Sequence, residues 1–491
     1  MSKPHVLLFL LLLPFLLTPS AAAQRRARAT PQSRDAAPPA DPAAQILALA
    51  KQAEAAGART GVYVREVGAT EPLCVWRASE PFVPASNHKL LTCAAVWRTL
   101  GPEFRFRTGF GLAGQTLLVA GGGDPLLSAR ADGKRDGQTA PRELFATVVD
   151  KLRAAGVQRL DGLVADVSAW PGPARPATWP ADQLGLAYCA PTGGLVLQDG
   201  CVDVVIKPGA EQAVLSWEPA GLPLKVDGSI ALTGDKKAGS KYGAQLRGSE
   251  LKVWGAFWSR NPGAIAELPV EDPAQVFLRA LRGSLEQAGI AVGGELRVLE
   301  DGTQVPKARA LHVHESRLLP AVRLALTDSS NFHAEMLLRA LALGNQVAGS
   351  IDNGAAFLLQ LLAPHKPQKG EFVAVDGSGL SRDNRVSPRL LAATLADVLA
   401  APAADAFVDC LAEGGRSGTL DKRFTESWCA GRVRAKTGWI RGASTLSGVV
   451  VGDSGRRWVF SILMNYDPRK GGFNRTLHDW QDRMVKVLVK C

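Results

Sequence analysis

Ser329 lies 243 positions along the chain from Ser86, and 107 more lead to Lys436. The gap is constraining because the residues around these positions read as parts of one site. They are Ser86-Asn87-His88-Lys89, Ser329-Ser330-Asn331 and Lys436-Thr437-Gly438. Stretches this far apart share a cleft only if the chain begins a domain, leaves it to build something else, and returns. Pro84 to Thr92 reads as a loop running into an apolar helix, and a Ser and a Lys three apart on a helix lie on one face. A hydroxyl beside an amine is a nucleophile beside a base, provided burial or a neighbouring cation lowers the amine's pKa. Alone, S-x-x-K is a common accident; followed in order by S-x-N and K-T-G it is not.

A chain of 491 residues suggests two to four domains. With 46% hydrophobic and 21% charged residues it reads as globular. The net charge of +11 suits an anionic surface or polymer. No basic run is interleaved with aromatics, so no nucleic-acid partner is expected. Lys3, the apolar run Val6 to Leu17 and the small residues Ala21-Ala22-Ala23 form the pattern of a cleavable secretory signal over 1–23. No Cys follows those small residues and no later stretch is long enough to span a bilayer, so no stable membrane anchor is expected. The mature protein is expected in the periplasm or cell envelope. Residues 24–42, rich in Ala, Pro and Arg, read as a disordered linker.

Export permits disulfides. Cys189 with Cys201, Cys410 with Cys429, and Cys74 with Cys93 are the pairings open on sequence proximity; an odd count of seven leaves at least one thiol over, with Cys491 the terminal candidate. Helical periodicity follows Asp41, with Ile46, Leu49, Ala50 and Ala53 on one face. Gly61 to Val67 and Leu73 to Trp76 read as a hairpin. From residue 101 to 304 short alternating segments and glycine turns suggest mostly β structure, Gly121-Gly122-Gly123-Asp124-Pro125 being a tight turn between strands. Helices return at Leu318 to Ala325, Ala334 to Leu343 and Pro388 to Leu399. Strands follow at Val433 to Trp439, Thr445 to Val451 and Trp458 to Leu463, then an amphipathic helix through Leu477, Met484 and Leu488. The first hairpin and last strands are expected to complete one sheet, bringing residues near 86, 330 and 437 to one cleft.

The three motifs are a set found in penicillin-binding proteins and class A β-lactamases. Class A β-lactamases place the first two far closer. The long gap resembles the S13 peptidases, the class C low-molecular-mass penicillin-binding proteins of the D-alanyl-D-alanine carboxypeptidase/endopeptidase type. Gly121 to Ser128, Tyr188-Cys189-Ala190-Pro191, Asp376 to Arg382 and Gly415 to Leu420 are similar to that family too, so the resemblance covers nearly everything after the linker. It implies an α+β fold: a β-lactamase/transpeptidase-like domain, helices around an antiparallel sheet, formed by residues 43–100 and 305–491 and interrupted by two mostly β inserted domains at 101–304. It implies cleavage of the terminal D-Ala-D-Ala bond of peptidoglycan stem peptides, or of the D-Ala-diaminopimelate cross-link, with β-lactam antibiotics acylating the same serine and no metal or organic cofactor. Within such a site Ser86 is the nucleophile, Lys89 the base and Ser329 a proton shuttle. Asn331 bonds the substrate amide, and Lys436 with Thr437 meets a carboxylate. Gly438 allows close approach to the strand, and the N–H groups of Ser86 and Trp439 form an oxyanion hole.

Two positions depart from the family. Trp439 stands where a Thr or Ser is usual, and Thr192-Gly193-Gly194 replaces a small residue, Ser and Ala in a strip that borders the cleft in relatives. Two other readings therefore stay open, a wall-binding protein with a degenerate site and a β-lactamase-like hydrolase. The remaining polar candidates read as structural. His312 and His314 share one side of a strand without an evident third metal ligand. His88 points away from Ser86 into packing, His333 lies near the cleft without an assigned role, and Asp376 ties its own loop.

Overall fold

The computed structural model describes residues 41–129, 135–469 and 473–491. The expected signal segment, and the expected linker as far as residue 40, lie outside them. Asp41 caps α1 (Pro42–Ala55) by accepting the Ala43 N–H, and the helix buries Ile46, Leu49, Ala50 and Ala53, the four positions its periodicity marks. β1 (Ala58–Glu66) and β2 (Pro72–Trp76) pair as the expected hairpin. A 3-10 turn at Ala85–Asn87 then leads into α2 (His88–Leu100), which is buried almost all round.

Between α2 and the return of the helices the chain forms β3 (Arg105–Ala113), β4 (Thr116–Ala120), α3 (Pro141–Ala154), β5 (Arg159–Leu160) and β6 (Gly162–Asp166). β7 (Cys201–Pro208), β8 (Ala213–Glu218), β9 (Lys225–Gly228), β10 (Ala231–Thr233), β11 (Ser240–Arg247), β12 (Glu250–Trp258) and β13 (Ala264–Pro269) follow. α4 (Pro273–Gln287), β14 (Ala291–Val292), β15 (Leu296–Leu299) and β16 (Arg309–Arg317) complete this part. It encloses two cores. One lies between the sheet β13-β7-β8 and the strands gathered on β12. The other lies between the sheet β15-β6-β4-β3-β16 and the helices α3 and α4.

That second unit is α/β where mostly β structure was expected. β4 pairs with β6, and β6 with β15, in parallel. Parallel neighbours need long crossovers, which α3 and α4 supply. Leu144, Phe145, Val148, Val149 and Leu152 form the inward face of α3, a helical spacing present in the sequence and outweighed there by the surrounding strand signals. β16 pairs with β3 from Arg309 to Arg317, so this sheet extends past the expected boundary at 304. The Gly121 segment leads from β4 toward α3 rather than into another strand; at Gly122 a Cβ would stand 1.5 Å from the Arg107 carbonyl oxygen.

α5 (Leu318–Leu326), α6 (Asn331–Gly344), α7 (Ile351–Leu362), α8 (Pro388–Leu399) and α9 (Ala404–Val408) then precede the last strands. These are β17 (Ala412–Glu413), β18 (Val433–Ile440), β19 (Ala443–Val451) and β20 (Arg457–Tyr466), closed by α10 (Asn474–Val489). The sheet runs β17-β18-β19-β20-β1-β2, antiparallel throughout, with β1 against β20 from Ala58–Tyr466 to Glu66–Trp458. The chain's two ends therefore share one sheet, as expected. Both faces are covered. Val459 and Leu463 of β20 join the core of α2, α5, α6 and α8, whereas Phe460, Ile462 and Met464 pack with α1 and α10. Burial on both sides is why β20 reads, from Trp458 to Met464, as an apolar run broken only by Ser461.

No disulfide joins the seven cysteines. For two of the three pairings the sheet is the reason. Cys93 and Cys410 lie in the core on one side of it, and Cys74 and Cys429 in the core on the other. Cys189 and Cys201 both lie by the Arg175 guanidinium without being bonded. Among the described residues, no helix is long and apolar enough to cross a membrane.

Candidate active site

Ser86 sits in the 3-10 turn, two residues before α2 begins at His88, so Lys89 one helical turn on points its amine back at the hydroxyl. Lys89 Nζ donates to Ser86 Oγ at 2.9 Å, to Asn331 Oδ1 at 2.7 Å and to the Ser378 carbonyl at 2.8 Å. The turn is held in a conformation that side chains resist. Ala85 has φ +47, and Gly379, itself at φ +80, packs so tightly on it that a Cβ there would lie 1.9 Å from the Ala85 carbonyl oxygen. Ser329 is a second left-handed residue, at φ +62. Such positions cost roughly 1–3 kcal/mol each and persist where surrounding structure imposes them.

Ser330 caps α6, accepting the His333 N–H and meeting its Nδ1 at 2.8 Å, so the helix begins at Asn331. Asn331 joins two parts of the molecule: besides accepting from Lys89, its Nδ2 donates to the Tyr188 carbonyl at 2.9 Å. Lys436 Nζ donates to Ser329 Oγ and to the Thr437 carbonyl, both at 2.8 Å, and the Thr437 and Thr419 hydroxyls meet at 2.8 Å. β17 pairs with Ala435 and Arg434, and the Val433 carbonyl accepts the Gly414 N–H, so among the described residues the part of β18 from Lys436 to Ile440 has no strand partner on that side. Asn87 Nδ2 ties the turn to that strand through the Lys436 carbonyl, and Thr445 Oγ1 ties it to β19 through the Pro84 carbonyl.

Gly438 is what lets the two pack. A Cβ there would stand 2.2 Å from Thr445 Oγ1 and 3.0 Å from both Asn87 N and Pro84 O. Gly438→Ala should therefore push β18 off the turn that carries Ser86, with a loss of about 1–3 kcal/mol of stability. A penicillin acylation rate that falls far more than the fraction folded, measured in the same sample, checks this.

Burial lowers the Lys89 amine to about 8, against the pull of Asp376 and Glu335 toward higher values. Burial, and then the charge of Lys89, push Lys436 well below the ordinary lysine range. His88 is buried, stacks on Phe372 and is driven down to about 4 by burial, consistent with a packing role. His312 stacks on Phe110, and His314 meets Ser316 Oγ at 3.2 Å beside Asp124. Asp376 fixes its loop, as expected, accepting from the Gly379 and Ser381 N–H groups, Asn384 Nδ2 and the Trp179 indole.

Above Ser86 and Asn331 opens a cleft of about 420 Å³, with Tyr188, Gln183 and Pro180 on one wall and Arg382, Trp439 and Arg441 on another. The first wall comes from the part inserted between α2 and α5. Trp439 is 57% exposed there. The strip after Pro191 is not on this wall. Thr192 is buried, its carbonyl and hydroxyl accepting from Arg339, and Gly194 packs on Trp170. That departure from the family therefore serves the core. Sequence reading missed Glu335, whose carboxylate accepts the Gly377 and Ser378 N–H groups. Its one signal was position, four residues after Asn331 in a mostly apolar helix.

A family model described as the D-Ala-D-Ala carboxypeptidase 3 (S13) family matches residues 43–487. The chain belongs to that family. Among S13 relatives, it is 29% identical over 439 residues to the D-alanyl-D-alanine carboxypeptidase of Actinomadura sp. strain R39, covering 83% of this chain and 78% of that protein. It is 24% identical over 445 residues to the penicillin-sensitive carboxypeptidase A of Dictyostelium discoideum, covering 84% and 82%. In fold it matches the crystal structure of penicillin binding protein 4 from Haemophilus influenzae at a TM-score of 0.73 and 20% identity, over 91% of this chain and 99% of that one. A structure of the latter in complex with a β-lactam matches at 0.68. The α+β fold of this S13 chain is that of a penicillin-binding protein.

Proposed function

We propose that this S13 chain is a serine DD-peptidase that acts through an acyl-enzyme on Ser86. It cleaves the terminal D-Ala-D-Ala bond of peptidoglycan stem peptides, the D-Ala-diaminopimelate cross-link, or both. The contact that carries the reading is Lys89 Nζ, fully buried and 2.9 Å from Ser86 Oγ. Neutral Lys89 takes the Ser86 proton as Oγ bonds to the scissile carbonyl carbon, whose oxygen becomes an oxyanion held by the N–H groups of Ser86 and Trp439. Ser329 gives its proton to the departing amine as the C–N bond breaks, and is reprotonated from Lys436 at 2.8 Å. An amine pushed so low by burial and Lys89 suits proton exchange better than a permanent charge. One Asn331 Nδ2 hydrogen is held by Tyr188, leaving the other for the substrate amide. Water then attacks the acyl carbon, its proton passing through Ser329 to the now neutral Lys436, and the acyl–Oγ bond breaks as Lys89 returns its proton to Ser86. β-Lactams acylate the same serine, and the signal-like 1–23 segment supports action in the cell envelope.

Incubation with a stem pentapeptide and with cross-linked and uncross-linked muropeptides, followed by mass analysis, tests the reading. Release of D-Ala or of monomers supports it. Tight binding of wall fragments with neither product would leave a wall-binding protein instead.

Trp439 makes a separate expectation. A hydroxyl at this position would add a charge-assisted hydrogen bond to the substrate carboxylate, worth about 1.5–3 kcal/mol. Trp439→Thr should raise kcat/KM for D-Ala release about 10-fold or more. An unchanged kcat/KM would show that the carboxylate is held elsewhere.

A further inference from the structure

Glu335 is a fully buried carboxylate that the steps above do not use. It lies one turn after Asn331 on α6, so both side chains leave the same face. Asn331 touches Lys89 directly. Glu335 reaches it across a single residue: it accepts the Gly377 N–H at 2.9 and 3.0 Å and the Ser378 N–H at 2.8 Å, and the Ser378 carbonyl accepts Lys89 Nζ at 2.8 Å.

We propose that Glu335, acting through Ser378, is a positioning residue for Lys89: it holds the Ser378 carbonyl against the amine, and its charge governs when that amine carries a proton. The proposal rests on the acyl-serine reading above.

The other groups facing this pair leave room for that control. From α2, His88 is kept neutral by burial, and Cys93 is kept a thiol by burial and the Cys410 sulfur. From the loop, Asp376 accepts four hydrogen bonds and pulls the Lys89 amine toward higher values more than Glu335 does, a pull that Glu335→Gln leaves in place. From α6, Arg339 turns to the Gly349 and Trp170 carbonyls, and from β18 Lys436 turns to Ser329. Burial and Asp376 raise Glu335 to about 8, the range into which burial brings Lys89 down. Each proton lost then opposes loss of the other, because an ionised Glu335 holds Lys89 protonated. Acylation should therefore rise with pH over a limb broader than one ionisation gives.

The test is the pH profile of the penicillin acylation rate for the wild type, Glu335→Gln and Glu335→Asp, with folding checked by circular dichroism. Glu335→Gln keeps an acceptor but no charge. Its limb should move acidward by about one pH unit and narrow to a single ionisation. Glu335→Asp keeps the charge, and should keep the broad limb at a lower rate. A folded Glu335→Gln with the wild-type midpoint and width, at whatever rate, overturns the proposal, since that is what a merely structural role gives. Should Glu335→Gln not fold, the wild-type limb decides: broader than one ionisation supports the proposal, and a single-ionisation limb overturns it. The acyl-serine reading fails separately, by a wild-type adduct that mass spectrometry maps to a residue other than Ser86.

Discussion

Ser86→Ala should abolish labelling by a fluorescent penicillin and cut D-Ala release by about 10⁴–10⁶-fold, the scale on which an acyl-serine peptidase depends on its nucleophile. The fold should barely register the change. Ser86 Oγ supplies one of three acceptors to Lys89, and Asn331 Oδ1 and the Ser378 carbonyl remain in place. The lost hydrogen bond is worth about 1 kcal/mol, so thermal unfolding should shift by a few degrees at most while the chemistry disappears. Intact-mass detection of the penicilloyl adduct checks the chemistry, and thermal melts of the two proteins check the fold. Equal labelling of the two proteins would sink the assignment of Ser86.

The second large effect concerns Lys89. The amine is a base only when neutral, and burial brings it to about 8. Below that pH it is an ammonium and cannot accept the Ser86 proton; above it the neutral form dominates. The acylation rate should be half-maximal near pH 8 and fall on the acid side, approaching tenfold per pH unit well below it. Lys89→Met keeps the length of the side chain and removes the base. It should lower the acylation rate by about 10²–10⁴-fold and leave what remains without this limb. A Lys89→Met protein that still shows the wild-type rise with pH would assign the base to another group.

Much of this was legible along the chain, and in each case the reason is local. The face of α1, the hairpin β1–β2, the bounds of α8 and the buried run of β20 follow from periods of 3.6 and 2 and from capping or turn residues at their ends. The Ser86–Lys89 contact belongs here too, since three residues at the start of a helix bring the two groups together without help from elsewhere. The inserted α/β unit was read less well. Parallel pairing joins β4, β6 and β15 across long intervals of sequence, and strand-like segments do not reveal their partners. The disulfide pairings failed for a related reason. Nearness in sequence placed Cys410 beside Cys429, but a sheet runs between their two cores.

Hydroxyl, amine and amide groups are properties of residues and their short spacings survive in any fold, so the three motifs and their order were legible along the chain. Inserted structure was legible too, since a separation of 243 positions between two parts of one site must be filled by something. Only the tertiary structure decided what surrounds those groups. It set the Tyr188 carbonyl on Asn331, turned Thr192 inward to Arg339 and placed Glu335 one residue away from Lys89. The physical reason is burial. A lysine in water is an ammonium near neutral pH, and Lys89 approaches a base only because α2, α6 and the Asp376 loop close over it.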